Sequence, residues 1–143
     1  MDNDVSLRLE NQLCFPLYAA SRKVLSLYTP ILNELGITYT QYLVFLVLWQ
    51  DDGITVGEIG RRLYLDNGTL SPVLKKLEGA GCLKRTRSSE DERIVKITLT
   101  EKGRELKAKA GEIPSRIGSC IPLGEKDAQE LYRLLYSLLK EEK

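Results

Sequence analysis

Histidine is absent from all 143 residues. That excludes a Ser-His or Cys-His nucleophile pair. With no C-x-x-C pair either, zinc lacks its usual ligands, so no metal and no cofactor is expected. Cysteine is scarce: Cys14, Cys82 and Cys120 are widely spaced and odd in number, which argues against a structural disulfide framework. Long apolar runs are missing too. The longest, LVFLVLW at 43–49, falls far short of the roughly 20 residues that span a bilayer. The opening MDNDVSLRLE is acidic and shows neither the basic nor the apolar segment of a signal peptide. The expectation is a cytoplasmic protein with no membrane partner.

What is present suits one ordinary globular domain over 1–143. Charged residues make up 29% and hydrophobic ones 43%, too apolar for a disordered chain. The net charge is +1 but unevenly placed. Residues 61–107 hold twelve Lys/Arg against seven Asp/Glu, a net +5, and the remainder nine against thirteen, a net −4. A basic middle between acidic ends suits a polyanion-binding module; chance scatter is the plain alternative.

Periodicity predicts a mostly α chain with a small β-hairpin. Residues 5–27 carry apolar positions at helical spacing, which places Cys14 inside an amphipathic helix that Pro16 should kink or split. TPILNELG predicts a short helix from Pro30 to Gly36. A strongly apolar helix follows over 39–50, capped by Thr38 or Thr40. A short β-prone piece and a helix come next in ITVGEIGRRLYL, and the turn DNG opens another helix. Local physics starts that helix near Thr69, with Pro72 in its first turn, or a few residues earlier with a weakened hydrogen bond. Glycines at 79–81 end it. Runs at 83–87 and 93–99 flank a polar tip, and Val95, Ile97 and Leu99 alternate with Lys96 and Thr98. Thr100 caps a helix from Glu101 that bends at Pro114. Cys120 falls in or near a loop, and a broadly apolar helix covers 125–142.

Helix, turn, basic helix and basic hairpin, in that order, make a winged helix-turn-helix over about 53–100. A helix fits the major groove and offers polar and basic side chains to base edges; here these are Asn67, Thr69, Ser71, Lys75 and Lys76, with Pro72 on the same DNA-facing surface. Arg85, Arg87 and Arg93 on the hairpin can reach phosphates or a minor groove, with Asp91 placed to orient Arg93. A merely solvated charged hairpin is the competing reading. The flanking helices, about 5–36 and 101–142, have apolar faces wide for one small domain. Pairing with a second copy would bury them and set two reading helices roughly 34 Å apart on double-stranded DNA with a pseudo-palindromic operator.

The stretch LYLDNGTLSPVLKKLEGAGCLKRTRSSEDERIVKITLTEKG, with its D-x-R element at Asp91–Arg93, resembles the MarR family of dimeric winged-helix repressors. LENQLCFPLYAASR, ITYTQYLVFLVLW and LYLDNGTLSPVLKKLE resemble its OhrR subgroup, which senses organic hydroperoxides. The likeness runs from about Leu7 to Leu139. It implies a redox-sensing repressor in which Cys14 is the peroxide-reactive thiol. Tyr28 and Tyr39 would hydrogen-bond its thiolate from the other subunit. Cys120 matches a second, resolving cysteine found in some members, which implies an intersubunit Cys14–Cys120 disulfide. Phenolic donors make chemical sense where no histidine exists, and an apolar mouth including Phe15 and Leu17 would favour greasy peroxides. Pro16 departs from the smooth helix expected there, and Cys82 reads as packing. Two other functions fit the same residues: a repressor released by a non-covalent aromatic ligand, and a thiol peroxidase.

Overall fold

The chain, seen in a computed structural model whose described residues are 4–140, is mostly α with a three-stranded antiparallel sheet. Two 3₁₀ turns, Val5–Leu7 and Leu9–Asn11, precede the helices α1 (Cys14–Asn33) and α2 (Tyr39–Gln50). Then come β1 (Ile54–Thr55), α3 (Val56–Leu63), α4 (Asn67–Gly79), β2 (Leu83–Arg87) and β3 (Val95–Leu99). Helices α5 (Glu101–Ala110), α6 (Ile113–Cys120) and α7 (Glu125–Leu139) complete it. The sheet order is β1-β3-β2. Ile54 opposes Ile97, and Leu83 opposes Leu99, so the apolar alternation of β3 faces the core.

Two expectations change, and an open one is resolved. Cys14 does not sit inside a helix that Pro16 breaks; it is the first residue of α1. Pro16 falls in the first turn, where an amide N–H has no helical partner anyway, so proline costs nothing there. Pro30 does not begin a separate helix. It lies within α1, where burial of Ile31 and Leu32 offsets the missing backbone bond. Of the two starts open for the recognition helix α4, the structure takes the earlier, Asn67, because Asp66 accepts from the Thr69 amide at 2.7 Å and caps it there. Pro72 therefore lies in its interior.

The other boundaries follow local chemistry. Thr38 caps α2 in a reciprocal box: its hydroxyl accepts from the Gln41 amide at 3.2 Å, and Gln41 accepts back from the Thr38 amide at 3.0 Å. Thr100 caps α5. The chain then turns at Gly111 and restarts as α6, with Pro114 in its first turn. Cys120 is the last residue of α6, and α7 ends at Leu139. Residues 141 and 142, expected in that helix, lie outside the described residues. The core joins Leu32, Val44, Phe45, Leu48, Ile59, Leu70, Leu74, Leu77 and Ile97, so α4 and the hairpin are seated on α2 and α3. Cys82 is buried in it, as its packing role requires.

Candidate DNA interface and thiol site

Helix α4 buries Leu70, Leu74 and Leu77 and leaves two outward rows at helical spacing. Asn67, Ser71 and Lys75 form one; Thr69, Pro72 and Lys76 form the other; all six are exposed. A cleft of about 450 Å³ separates α4 from the hairpin, and Asn67, Ser71, Arg85, Arg87 and Arg93 line it. The structure thus gathers five of the expected DNA-contacting residues around one basic cleft. Thr69, Pro72, Lys75 and Lys76 stand on the helix outside its lining.

The three arginines are not equivalent. Arg93 donates through Nε and Nη2 to the two carboxylate oxygens of Asp91, each at 3.1 Å, and its own amide donates to Asp91 at 3.0 Å. Its side chain is 90% exposed, so it is aimed without being hidden. The Arg93 contacts hold the Asp91 carboxyl below the usual range. Arg87 donates to the Glu92 carbonyl at 2.8 Å. Arg85 is engaged by Glu78 at the end of α4, a tie that periodicity could not reveal because it links a helix to a strand.

Cys14 is exposed and opens onto an apolar groove of about 580 Å³ between α1 and α7. Leu13, Pro16 and Leu17 line one wall, Leu131, Leu134 and Leu138 the other; Phe15 is not among the lining residues. Along α1, Tyr28 lies fourteen residues beyond Cys14, about 21 Å at the helical rise. There Tyr28 packs on Tyr39 with ring centroids 4.7 Å apart. Cys120 sits at the same far end, in a pocket with Ser26, Leu27, Pro30, Ile31 and Arg116. Arg116 reaches Glu34 at 2.7 Å and ties α6 to α1. One protomer therefore separates Cys14 from both tyrosines and from Cys120. Sequence reasoning missed Tyr42, which packs 5.9 Å from Tyr28 and 6.3 Å from Tyr39; its place three residues after Tyr39 was the available signal.

Helix α7 buries none of its residues within the protomer. Leu131, Tyr132, Leu134, Tyr136, Leu138 and Leu139 are all exposed, a concentration of apolar side chains on one helix that suits an interaction surface. Among the described residues no helix is long and apolar enough to cross a membrane, and no cluster of side chains is arranged to hold a metal ion.

Comparisons agree with this geometry. Residues 26–110 match the family model "Transcriptional regulator SarA/Rot". An organic hydroperoxide resistance transcriptional regulator from Bacillus subtilis is 49% identical over 134 residues, covering 94% of this chain and 91% of that one. Reduced AbfR bound to DNA is 42% identical, with a TM-score of 0.75 over 94% of this chain and 97% of the other; AbfR is a protein of Staphylococcus epidermidis. The disulfide-formed state of AbfR is 41% identical, with a TM-score of 0.66 over 94% and 95%. The chain belongs to the OhrR branch of the MarR-like winged-helix transcriptional regulators, redox-sensing DNA-binding repressors rather than enzymes.

Proposed function

We propose that this chain is a cytoplasmic homodimeric repressor that holds a pseudo-palindromic operator while Cys14 is reduced and releases it when organic hydroperoxide oxidises Cys14. The observation that carries the reading is the place of Cys14: exposed at the first residue of α1, on an apolar groove. Unpaired amides and the helix dipole make such an end favourable for negative charge, and the groove suits a peroxide with an apolar tail. The relative named for organic hydroperoxide resistance supports the same oxidant.

Residues 53–100 are the reading unit, with Asn67, Thr69, Ser71, Pro72, Lys75 and Lys76 on the helix and Arg85, Arg87, Asp91 and Arg93 on the wing. Helices α1 and α5–α7 build the dimer. The separation along α1 gives that dimer its logic. If two α1 helices pair antiparallel about a two-fold axis, Cys14 of each meets the far end of the other, where Tyr28, Tyr39 and Cys120 lie. In the first step the Cys14 thiolate attacks the terminal oxygen of the hydroperoxide. An S–O bond forms and the O–O bond breaks. The departing alkoxide takes a proton to become the alcohol, and Cys14 becomes a sulfenic acid. Next the partner's Cys120 thiol attacks that sulfur; a disulfide forms and water leaves. Closing it requires Cα atoms within roughly 7 Å, so the subunits shift and the two reading helices lose their spacing.

The test is operator binding by reduced and hydroperoxide-treated protein. Cys14→Ser should bind like the parent and stay bound after treatment; release of the serine variant sinks the reading. On a non-reducing gel, treated protein should run as a covalent dimer. Cys14→Ser or Cys120→Ser should abolish that band, and Cys82→Ser should not. Treated parent that stays monomeric, with only added oxygen or a small-thiol adduct by mass, leaves Cys14 working alone.

A further inference from the structure

Tyr42 differs from the two tyrosines beside it. It stands on α2, three residues after Tyr39 and so on the same helical face. Only 4% of it is exposed, against the half-buried Tyr28 and Tyr39. The ring of Tyr42 is tilted 43° to that of Tyr28 and 48° to that of Tyr39, so each outer ring rests against it. Among the described residues none of the three phenols has a hydrogen-bond partner, although buried tyrosine hydroxyls normally find one. Nor is any buried side-chain oxygen of the described residues left unpaired, so the Tyr42 hydroxyl reaches the surface from a buried ring. Three O–H groups with no acceptor among the described residues open from one ring cluster.

Among the described residues nothing polar fixes the rotamers of Tyr28 and Tyr39, so ring packing must do it. Of the three rings only that of Tyr42 is locked in the core, against an α2 whose start is set by the Thr38–Gln41 cap. Burial first, and the neighbouring phenol second, push all three hydroxyls above the ordinary tyrosine value. They remain neutral donors whose usefulness depends on aim.

We propose that Tyr42 is a positioning residue of the thiol site: its buried ring sets the pitch of Tyr28 and Tyr39, and through them the direction in which two hydroxyls meet the partner's Cys14. The proposal rests on Cys14 being the peroxide sensor.

The experiment follows Cys14 oxidation in the full-length dimer with cumene hydroperoxide, by intact mass and operator release, as a function of pH. Tyr42→Leu should oxidise about tenfold more slowly, the scale of one misdirected hydrogen bond. Its rate profile should move to higher pH, because the thiolate loses its donors. Tyr42→Phe, which keeps the ring, should restore the parent rate and profile, and both reduced variants should bind operator like the parent. A parent-like rate in Tyr42→Leu, beside a slowed Tyr28→Phe, overturns the role of Tyr42 and leaves the sensor reading intact. Equal slowing in Tyr42→Phe overturns ring positioning. If Tyr42→Leu loses reduced-state operator binding, Tyr42→Met takes its place. Loss of binding in both variants shows a purely structural ring and also overturns the proposal. Release of Cys14→Ser by cumene hydroperoxide defeats the sensor reading itself, whatever the Tyr42 variants do.

Discussion

Glu78 and Arg85 are joined twice: one Glu78 carboxylate oxygen accepts from the Arg85 amide at 3.0 Å, the other from its guanidinium Nε at 3.0 Å. The pair bolts the last turn of the recognition helix to the first strand of the wing. It also neutralises an arginine that lines the basic cleft. Arg85 should therefore contribute less to phosphate binding than a lysine on open helix surface. Losing one phosphate contact lowers the salt slope of DNA binding by about 0.9. Lys75→Ala, which removes one contact from each protomer, should show about twice that drop and Arg85→Ala a clearly smaller one, as measured by operator binding across a salt series. Equal slopes for the two variants would mean that Glu78 does not weaken the Arg85 contact.

Arg93 has the opposite character, aimed by Asp91 but almost fully exposed. Arg93→Ala should weaken operator binding by about 1–3 kcal/mol, the scale of one good groove contact. The thermal midpoint should hardly move, since little surface is buried. Asp91→Ala should cost part of the same affinity by letting the guanidinium wander. Unchanged affinity in Arg93→Ala at moderate salt would remove the wing tip from recognition.

Glu58 gives the winged unit a distinct acid response. Hydrogen bonds from Arg61, and then from Arg62, hold its carboxyl down to about 2, against 4.5 for an ordinary glutamate. Arg62 also reaches Asp51 at 2.7 Å, which ties α3 back to the end of α2. A depressed carboxyl stabilises the fold fully above its unfolded value and loses that contribution as pH falls through its folded one. The network should thus be intact above about pH 4.5 and fail toward pH 2. A carboxyl-carbon NMR titration should place the Glu58 midpoint near 2 in the parent and higher in Arg62→Gln. A parent midpoint near 4.5 would contradict the network.

How far the sequence foretells such features depends on their range. The Thr100 cap and the alternation of Val95, Ile97 and Leu99 depend on neighbours a few residues apart, so spacing alone reveals them; it leaves Thr38 and Thr40 both open as the cap of α2, and the Gln41 contacts decide for Thr38. The prolines mislead for the same reason. Pro16 reads as a break and Pro30 as the start of a new helix, yet one falls where no amide is needed and the other is held within α1 by buried Ile31 and Leu32. The groove beside Cys14 joins Leu17 to Leu134, and the pocket beside Cys120 joins Leu27 to Ser119. Such meetings follow from tertiary packing, which no local pattern encodes. Tyr42 stays hidden among the apolar residues of α2, since a core tyrosine and a positioning one have the same periodicity.

Gly103 marks the point where the reading unit meets the helices beyond it. A Cβ there would overlap the Cys82 carbonyl oxygen and come within 3.0 Å of the Leu99 side chain. Only glycine lets α5 lie so close to the hairpin. The same residue accepts the Trp49 indole N–H through its carbonyl at 2.9 Å, and Trp49 is the chain's sole tryptophan. Gly103→Ala cannot be accommodated by rotating a flexible side chain, because the obstacle is backbone. Helix α5 must shift, at a cost of about 1–3 kcal/mol as in other overpacked cores. The gain in helix propensity, about 1 kcal/mol at most, offsets only part of it. Urea unfolding should show a lower midpoint, and native Trp49 emission should move to the red as its hydrogen bond loosens. A variant with parent stability and unchanged emission would mean that α5 has room at Gly103, contrary to the packing seen here.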